Sequence, residues 1–191
     1  KDNQYREKCI NDIYDDCTDG LDALINNAAT QILAPMESLS FEDWQSTINI
    51  NLNSTFVLIQ ALLQKLRAAH GSVINIASIH SKLTKPNFSA YATSKSGLVG
   101  LTKSLAVELG RQVRVNAICP AAINTPMLHA SFVDNPQGLE ELKKFHPNGN
   151  IGSISDIVNA ALFMTDNRNS FLNGSILNLD GGISSRLHDP D

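Results

Sequence analysis

The sequence predicts an α/β fold: a doubly wound parallel sheet with helices on both faces. Two observations predict it. Apolar runs of strand length alternate with longer stretches of helical periodicity along the chain. The runs at 21–25, 72–77, 113–119 and 175–179 are close to continuous, as strands buried on both faces read.

The elements follow in order. Residues 1–16 are polar, with apolar entries at Tyr5, Cys9, Ile10 and Ile13, a spacing that predicts an amphipathic helix. A short strand (21–25) is entered after Gly20, and Pro35 breaks the next segment. Ser40 before Glu42 and Asp43 marks a helix start, a capping hydroxyl with acid in the first turn. That helix is expected to run unbroken to about Ala69 and to end at Gly71. After the strand at 72–77, residues 89–110 predict a helix packed through Leu98, Leu101, Thr102 and Leu105. Pro120 is expected to stop the strand at 113–119. Residues 125–150 read as irregular, with a helical stretch around 139–145, followed by a helix at 155–165. The 191 residues show no repeat, low-complexity segment or linker, so one domain is expected over 1–191.

Composition narrows the function. Apolar content of 42% with 18% charged residues is ordinary for a globular chain. A net charge of −4 and no Lys/Arg-rich run argue against a nucleic-acid partner. No apolar stretch approaches the roughly 18 residues of a membrane span, and the start does not resemble a secretory signal. Cys9, Cys17 and Cys119 are odd in number and lack CxxC spacing, which disfavours a disulfide framework or zinc site. Cys119 reads as a small core hydrophobe, and the cysteine usage favours a reducing compartment, the cytoplasm. The histidines at 70, 80, 129, 146 and 188 lack ligand spacing, so no metal is expected.

The chemistry lies in YATSK, where Tyr91 and Lys95 stand at i and i+4 on one helix face. A phenol with a pKa of about 10 is a poor base at neutral pH, and an adjacent ammonium favours the phenolate. Ser78 ends the apolar run GSVINIAS, and its hydroxyl suits hydrogen bonding to a substrate oxygen. The set reads as a proton-transfer site for an alcohol or ketone. Tyr and Lys alone also fit a solvated helix face, a role for which Lys103 is a candidate. Ser81 competes with Ser78 but falls in the loop, whereas sites of open α/β sheets lie at strand ends.

Further residues give this set a context: Asn26-Asn27-Ala28-Ala29 after LDALI, Asn51 in ININLNSTF, RVNAICP ending at Pro120, Asn124-Thr125-Pro126, and Leu179-Asp180-Gly181-Gly182. In this order, from about Leu21 to Gly182, the chain resembles the short-chain dehydrogenase/reductase family. The resemblance implies a Rossmann-like sheet. It implies hydride transfer between NAD or NADP and a secondary alcohol or ketone, with Tyr91 as general acid/base and Ser78 orienting the substrate oxygen. Lys95 would lower the Tyr91 pKa and bond the nicotinamide ribose. Asn51 would hold a water linking Lys95 to solvent, with Asn49 and Asn53 as competitors for that register. Cofactor contacts are implied at Asn26, Ala28, Tyr91, Lys95, Pro120, Ala121, Ile123 (backbone) and Thr125 (hydroxyl). Three residues between Tyr91 and Lys95 resemble the alcohol/ketone branch, since the enoyl reductases space these groups more widely.

The chain departs from the family pattern in two ways. Ala29 and Ala121 stand where the family usually has Gly, a steric cost wherever φ must be positive. The Gly-rich phosphate turn is also missing, and residue 1 falls in what resembles the helix before the fourth family strand. The expectation is an N-terminally truncated fold lacking its first strands, a βαβ portion on the order of 60 residues at ~30 per unit. The NAD-versus-NADP determinant goes with it. A chain that begins with Lys is expected to be a fragment, with weak dinucleotide binding and poor stability by itself. The alternative is a truncated, catalytically inactive assembly or regulatory protein; epimerase or lyase chemistry ranks below both.

By resemblance the protein is expected to be a homodimer or homotetramer built on the helices beginning near Glu42 and Ser89 and on the strand near Leu177. The small-molecule alcohol/ketone substrate is left open among steroid, sugar, hydroxy acid and acyl thioester. Its lining would come from Ile79, His80, residues 84–88 and residues 127–145. His80 reads as a substrate contact or a solvated side chain, the second favoured. Met127, Leu128, Phe132 and Phe145 suggest an apolar lid. The polar tail after Gly182 is expected to be loosely held.

Overall fold

The computed structural model describes residues 2–187; Lys1, the side chains of residues 2–6 (Tyr5 among them), and the tail from His188 onward lie outside the described residues. A parallel four-stranded sheet forms the centre, with β1 (Ala23–Asn26), β2 (Ser72–Ile76), β3 (Arg114–Pro120) and β4 (Ile176–Leu179) in that order. Asn26 lies opposite Asn75, Ile76 opposite Ile118, and Pro120 opposite Leu179, which aligns the C-terminal strand ends. Pro120 is thus the last strand residue, one position beyond where a stop was expected.

Alternation along β2 and β3 assigns the two faces. Val73 and Val115 turn to one face, where they meet Ile59 and Leu66 of α3 (Ser54–Ala68) and Ala106 and Leu109 of α4 (Ser89–Leu109). Ile74, Ile76 and Ile118 turn to the other, against Ala161 and Met164 of α7 (Ile154–Thr165). Each fully buried aliphatic side chain contributes about 1.5–3 kcal/mol, so both layers hold the sheet. Every residue of β2 is buried, whereas edge strand β1 leaves Ile25 exposed.

Polar side chains inside the sheet bond one another, with Asn26 Oδ1 alone among these left without a partner. Asn26 Nδ2 donates to Asn75 Oδ1 at 2.9 Å, Asn75 Nδ2 to Thr102 Oγ1 at 2.9 Å, and Thr102 Oγ1 to the Leu98 carbonyl at 2.8 Å. Buried Arg114 donates to the carbonyls of Met164 at 2.7 Å and Thr165 at 3.1 Å, satisfying the C-terminal end of α7.

The N-terminal region forms helix α1 (Asp2–Asp16), as its spacing predicts. Ser40 caps α2 (Phe41–Ile48), its Oγ accepting from the Asp43 N–H at 3.1 Å. The expected unbroken helix is instead interrupted by a π turn at Asn49–Asn53, and α3 resumes at Ser54. Gly71 closes the unit where a Cβ would meet the Leu21 carbonyl at 2.3 Å, an approach closed to any larger residue. The region read as irregular contains α5 (Pro126–Ala130) and α6 (Pro136–Phe145), begun by the side chains of Thr125 and Asn135. After Gly182 the tail starts as a tight turn at Ile183–Ser185.

Candidate active site

A cavity of ≈ 600 Å³ opens at the C-terminal ends of β2 and β3, where open α/β sheets place ligands. Ser78, Tyr91, Ala121, Ile123 and Thr125 line it together. Lys95 lies beneath and Asn51 behind, both buried. Asn26, Ala28 and Pro120 stand outside the lining.

Ser78 follows β2 in extended conformation, and its Oγ accepts from the His80 N–H at 3.2 Å. Its competitor Ser81 is turned back, donating to the Ser78 carbonyl at 2.7 Å and lying 3.5 Å from Cys119 Sγ. The strand-end serine therefore faces the cavity.

Tyr91 and Lys95 share a face of α4, with Lys95 Nζ 5.7 Å from the Tyr91 ring centroid. Nζ donates to the Ile76 carbonyl at the end of β2, at 2.7 Å. Burial pulls the Lys95 pKa down to about 8, opposed by the nearby Cys119 thiol. The expected lowering of the Tyr91 pKa is not what the geometry gives. Burial pushes the phenol above its usual value, and the Ser78 side chain pulls the other way. With its cation tied to Ile76, Lys95 does not overcome the desolvation of the ring. Tyr91 is consequently held as a neutral phenol at neutral pH, the proton-donating form.

Asn51 sits in the π turn and ties three elements together. Its Oδ1 accepts from the Thr30 N–H at 2.8 Å, and its Nδ2 donates to the Thr30 carbonyl at 2.9 Å and to Ser94 Oγ at 3.0 Å. Both side-chain amide protons are thus engaged within the protein. Asn49 and Asn53 bond each other at 2.8 Å on the exposed side, so of the three only Asn51 turns inward.

His80 is not a solvated side chain. Its ring stacks on Phe88 with centroids 4.2 Å apart and planes at 8°, and meets Tyr91 edge-on at 5.7 Å. Nδ1 lies 3.0 Å from Thr84 Oγ1. Burial, then the charge of Lys85, lowers its pKa to about 4, so this aromatic wall is uncharged at neutral pH.

The loop after β3 presents free backbone. A parallel bridge pairs Ile123 with Gly152, but its bonds use the Ala122 carbonyl and the Asn124 N–H. Ile123's own N–H and C=O have no partner among the described residues. The Thr125 hydroxyl oxygen caps α5, accepting from the Leu128 N–H at 3.3 Å, and keeps its own proton to donate. Neither Ala29 nor Ala121 has positive φ, so the missing glycines impose no backbone strain.

Gln31, Leu33, Leu83, Ala122, His146 and Ile183 of the lining escaped the sequence reading, and of these only His146 is buried. His146 is 3% exposed at the end of α6, its Nδ1 2.8 Å from the Leu142 carbonyl, while Nε2 is buried without a partner. Its sequence neighbours give no sign of burial, since the residues around it are polar or exposed.

Among the described residues no group of three His, Cys, Asp or Glu side chains is placed to hold a metal ion, and no helix is long and apolar enough to cross a membrane. The cysteines are free, with Cys119 in the core beside Leu98 and Ala117.

Comparison with known proteins agrees with this arrangement. The family model described as Enoyl-(Acyl carrier protein) reductase matches residues 1–184. D-threitol dehydrogenase of Mycolicibacterium smegmatis is 40% identical over 166 residues, covering 86% of this chain and 63% of the relative. The chain thus spans somewhat less than two thirds of that protein's length. A gluconate 5-dehydrogenase from Burkholderia cenocepacia, solved with NADP and tartrate, superposes with a TM-score of 0.87 at 30% identity, covering 95% of this chain and 71% of that one. An oxidoreductase of Burkholderia thailandensis, described as of the short-chain dehydrogenase/reductase family, gives 0.86 at 31% identity, covering 94% and 70%. The match over nearly the whole chain, and the convergence of Ser78, Tyr91 and Lys95 at the strand ends, establish that the chain belongs to the short-chain dehydrogenase/reductase family.

Proposed function

We propose that the protein is an NAD(P)-dependent oxidoreductase acting on a secondary alcohol or ketone, with Tyr91 as its general acid/base. The observation that carries this is the placement of the Tyr91 phenol beside Ser78, with Lys95 beneath, on a cavity at the sheet's C-terminal edge. The donor set fits the nicotinamide end of a dinucleotide. Lys95 Nζ uses one of its protons on Ile76 and has two left for ribose hydroxyls. Ile123 offers an unpaired N–H and C=O suited to a carboxamide. Asn26 Oδ1 is buried without a partner at the end of β1, a position the family resemblance assigns to the cofactor. When bound, a nicotinamide supplies or takes the hydride.

The chain's own residues manage the proton. Ser78 holds the substrate oxygen within reach of the phenol. Tyr91 donates to that oxygen in reduction, and Lys95 stabilises the phenolate left behind. Asn51 acts as a positioning residue through Ser94 and Thr30. The dehydrogenase names of the relatives and the spacing of Tyr91 and Lys95 support carbonyl chemistry over reduction of a C=C bond. The substrate is a small molecule, and relatives named for threitol and gluconate favour a polyol or sugar acid. A homodimer or homotetramer is supported by exposed Ile50 and Phe56 along the helix proposed to pair. The free cysteines support a cytoplasmic location. All four catalytic positions are present and assembled, which argues against the inactive assembly reading.

The deciding experiment follows NAD(P)H absorbance with a panel of alcohols and ketones, using the full-length protein and its Tyr91→Phe variant. Turnover by the native protein that collapses in the variant is expected; a variant that works at the native rate removes Tyr91 from the chemistry.

A further inference from the structure

The wall of the cavity formed by residues 126–152 has a single buried residue, and it is a histidine. Neither α5 nor α6 buries a side chain of its own. An anchor for a loosely packed wall needs only apolar volume, and Leu or Phe would supply it. His146 supplies nitrogen as well. Its Nδ1 faces the Leu142 carbonyl at 2.8 Å. A carbonyl only accepts, so the proton resides on Nδ1, and Nε2 of the neutral ring presents a bare lone pair. Nε2 has no partner among the described residues and is shielded from solvent. Burying an acceptor unpaired costs free energy, and such groups persist where a ligand completes the bond.

The ring is held in place from two sides. His146 terminates α6, its N–H bonding the Lys143 carbonyl at 3.2 Å. The following corner is pinned to the end of the sheet, with Asn148 N–H donating to the Gly181 carbonyl at 3.3 Å and Pro147 packed on Gly182. The chemistry of the missing donor is narrowed by the rest of the lining. It holds no carboxylate, so the donor does not come from a protonated acid of the protein. It does hold Lys85, whose charge disfavours a cationic ligand. A neutral donor is favoured, and on the alcohol/ketone reading the substrate brings one as a hydroxyl.

We propose that His146 determines specificity: when the sparsely packed wall at 126–152 shifts to admit substrate, Nε2 accepts a hydrogen bond from a second substrate hydroxyl, so that the site takes diols and polyols in preference to simple alcohols. This rests on the alcohol/ketone reading above. The reacting hydroxyl is held by Ser78 and Tyr91, and the second is read by His146.

The test compares butane-2,3-diol, pentane-2,4-diol and hexane-2,5-diol with butan-2-ol, pentan-2-ol and hexan-2-ol, using the full-length enzyme. The three diols carry the second hydroxyl at increasing distance. At least one diol is expected to exceed its mono-ol in kcat/KM by roughly tenfold or more. His146→Phe keeps a ring and removes the acceptor, and is expected to abolish that ratio. His146→Gln restores a side-chain acceptor and is expected to recover part of it. An undiminished ratio in His146→Phe overturns the proposal. An independent readout is the ¹⁵N resonance of His146 in the native protein. Nε2 should shift on saturation with the preferred diol and stay put with the mono-ol; an unmoved resonance overturns the contact whatever the kinetics show. A shift without any hydride transfer supports the contact and removes the oxidoreductase reading instead.

Discussion

On the sheet side of the cavity, Ser78 and Lys95 are buried, Phe88 is 6% exposed beneath His80, and Tyr91 is braced by both rings. On the opposite side, α5 and α6 bury nothing, and Met127 and Phe145 are about half exposed, leaving His146 as the wall's one buried contact. The first side is continuous with the core, since Lys95 reaches β2 and Asn51 reaches Ser94 of α4. The second hangs from one bridge and one corner. On the proposed reading, the groups that handle the proton stand on packed elements, and the groups that meet the rest of the substrate stand on a sparsely packed wall.

Four changes probe this contrast, in order of expected effect. Tyr91→Phe should lower turnover roughly 10²–10⁴-fold while leaving the melting temperature near the native one, measured by absorbance assay and circular dichroism. A fall in stability comparable to the fall in rate would make Tyr91 a packing residue. Asn51→Leu removes three hydrogen bonds and leaves the Thr30 backbone groups unpaired, for a loss of about 3 kcal/mol in urea unfolding. A native-like midpoint would show that the π turn stands without its tie.

His80→Phe addresses pH. The folded His80 pKa of about 4 lies below its unfolded value of 6.5, so the unfolded chain takes up the proton first as pH falls through that window. Stability contributed by the neutral ring is present above pH 6.5 and is lost as pH falls towards 4. The variant keeps the stack on Phe88 and should show a shallower loss between those values; an identical acid limb would mean that the ring titrates as it does in the unfolded chain. Met127→Ala, on the opposite wall, should alter stability by no more than about 0.5 kcal/mol and change KM rather than kcat. Cooperative unfolding at lower temperature would instead place α5 in the packed part of the molecule.

Much of this was legible in the residues. Ser40 and the acids behind it announce a helix start, the four apolar runs announce the strands, and i, i+4 spacing puts Tyr91 and Lys95 on one face. What escaped notice depends on three-dimensional surroundings. The direction of the Tyr91 shift needs the burial of the ring against the ammonium, and sequence spacing gives only the ammonium. The π turn has the same apolar pattern as an α-helix over so few residues. His146 is buried by a corner that forms only when residues 147–148 meet Gly181 and Gly182, far along the chain.

The widened turn at Asn49–Asn53 has a further consequence. A π turn accommodates one more residue than an α turn, so it offsets the angular phase of everything in α3 relative to α2. Deleting a single residue there would restore regular winding and relax the backbone. It would also swing the amide of Asn51 off the line to Ser94. Regular winding and the tie from Asn51 to Ser94 are thus set against each other at one coil of the helix.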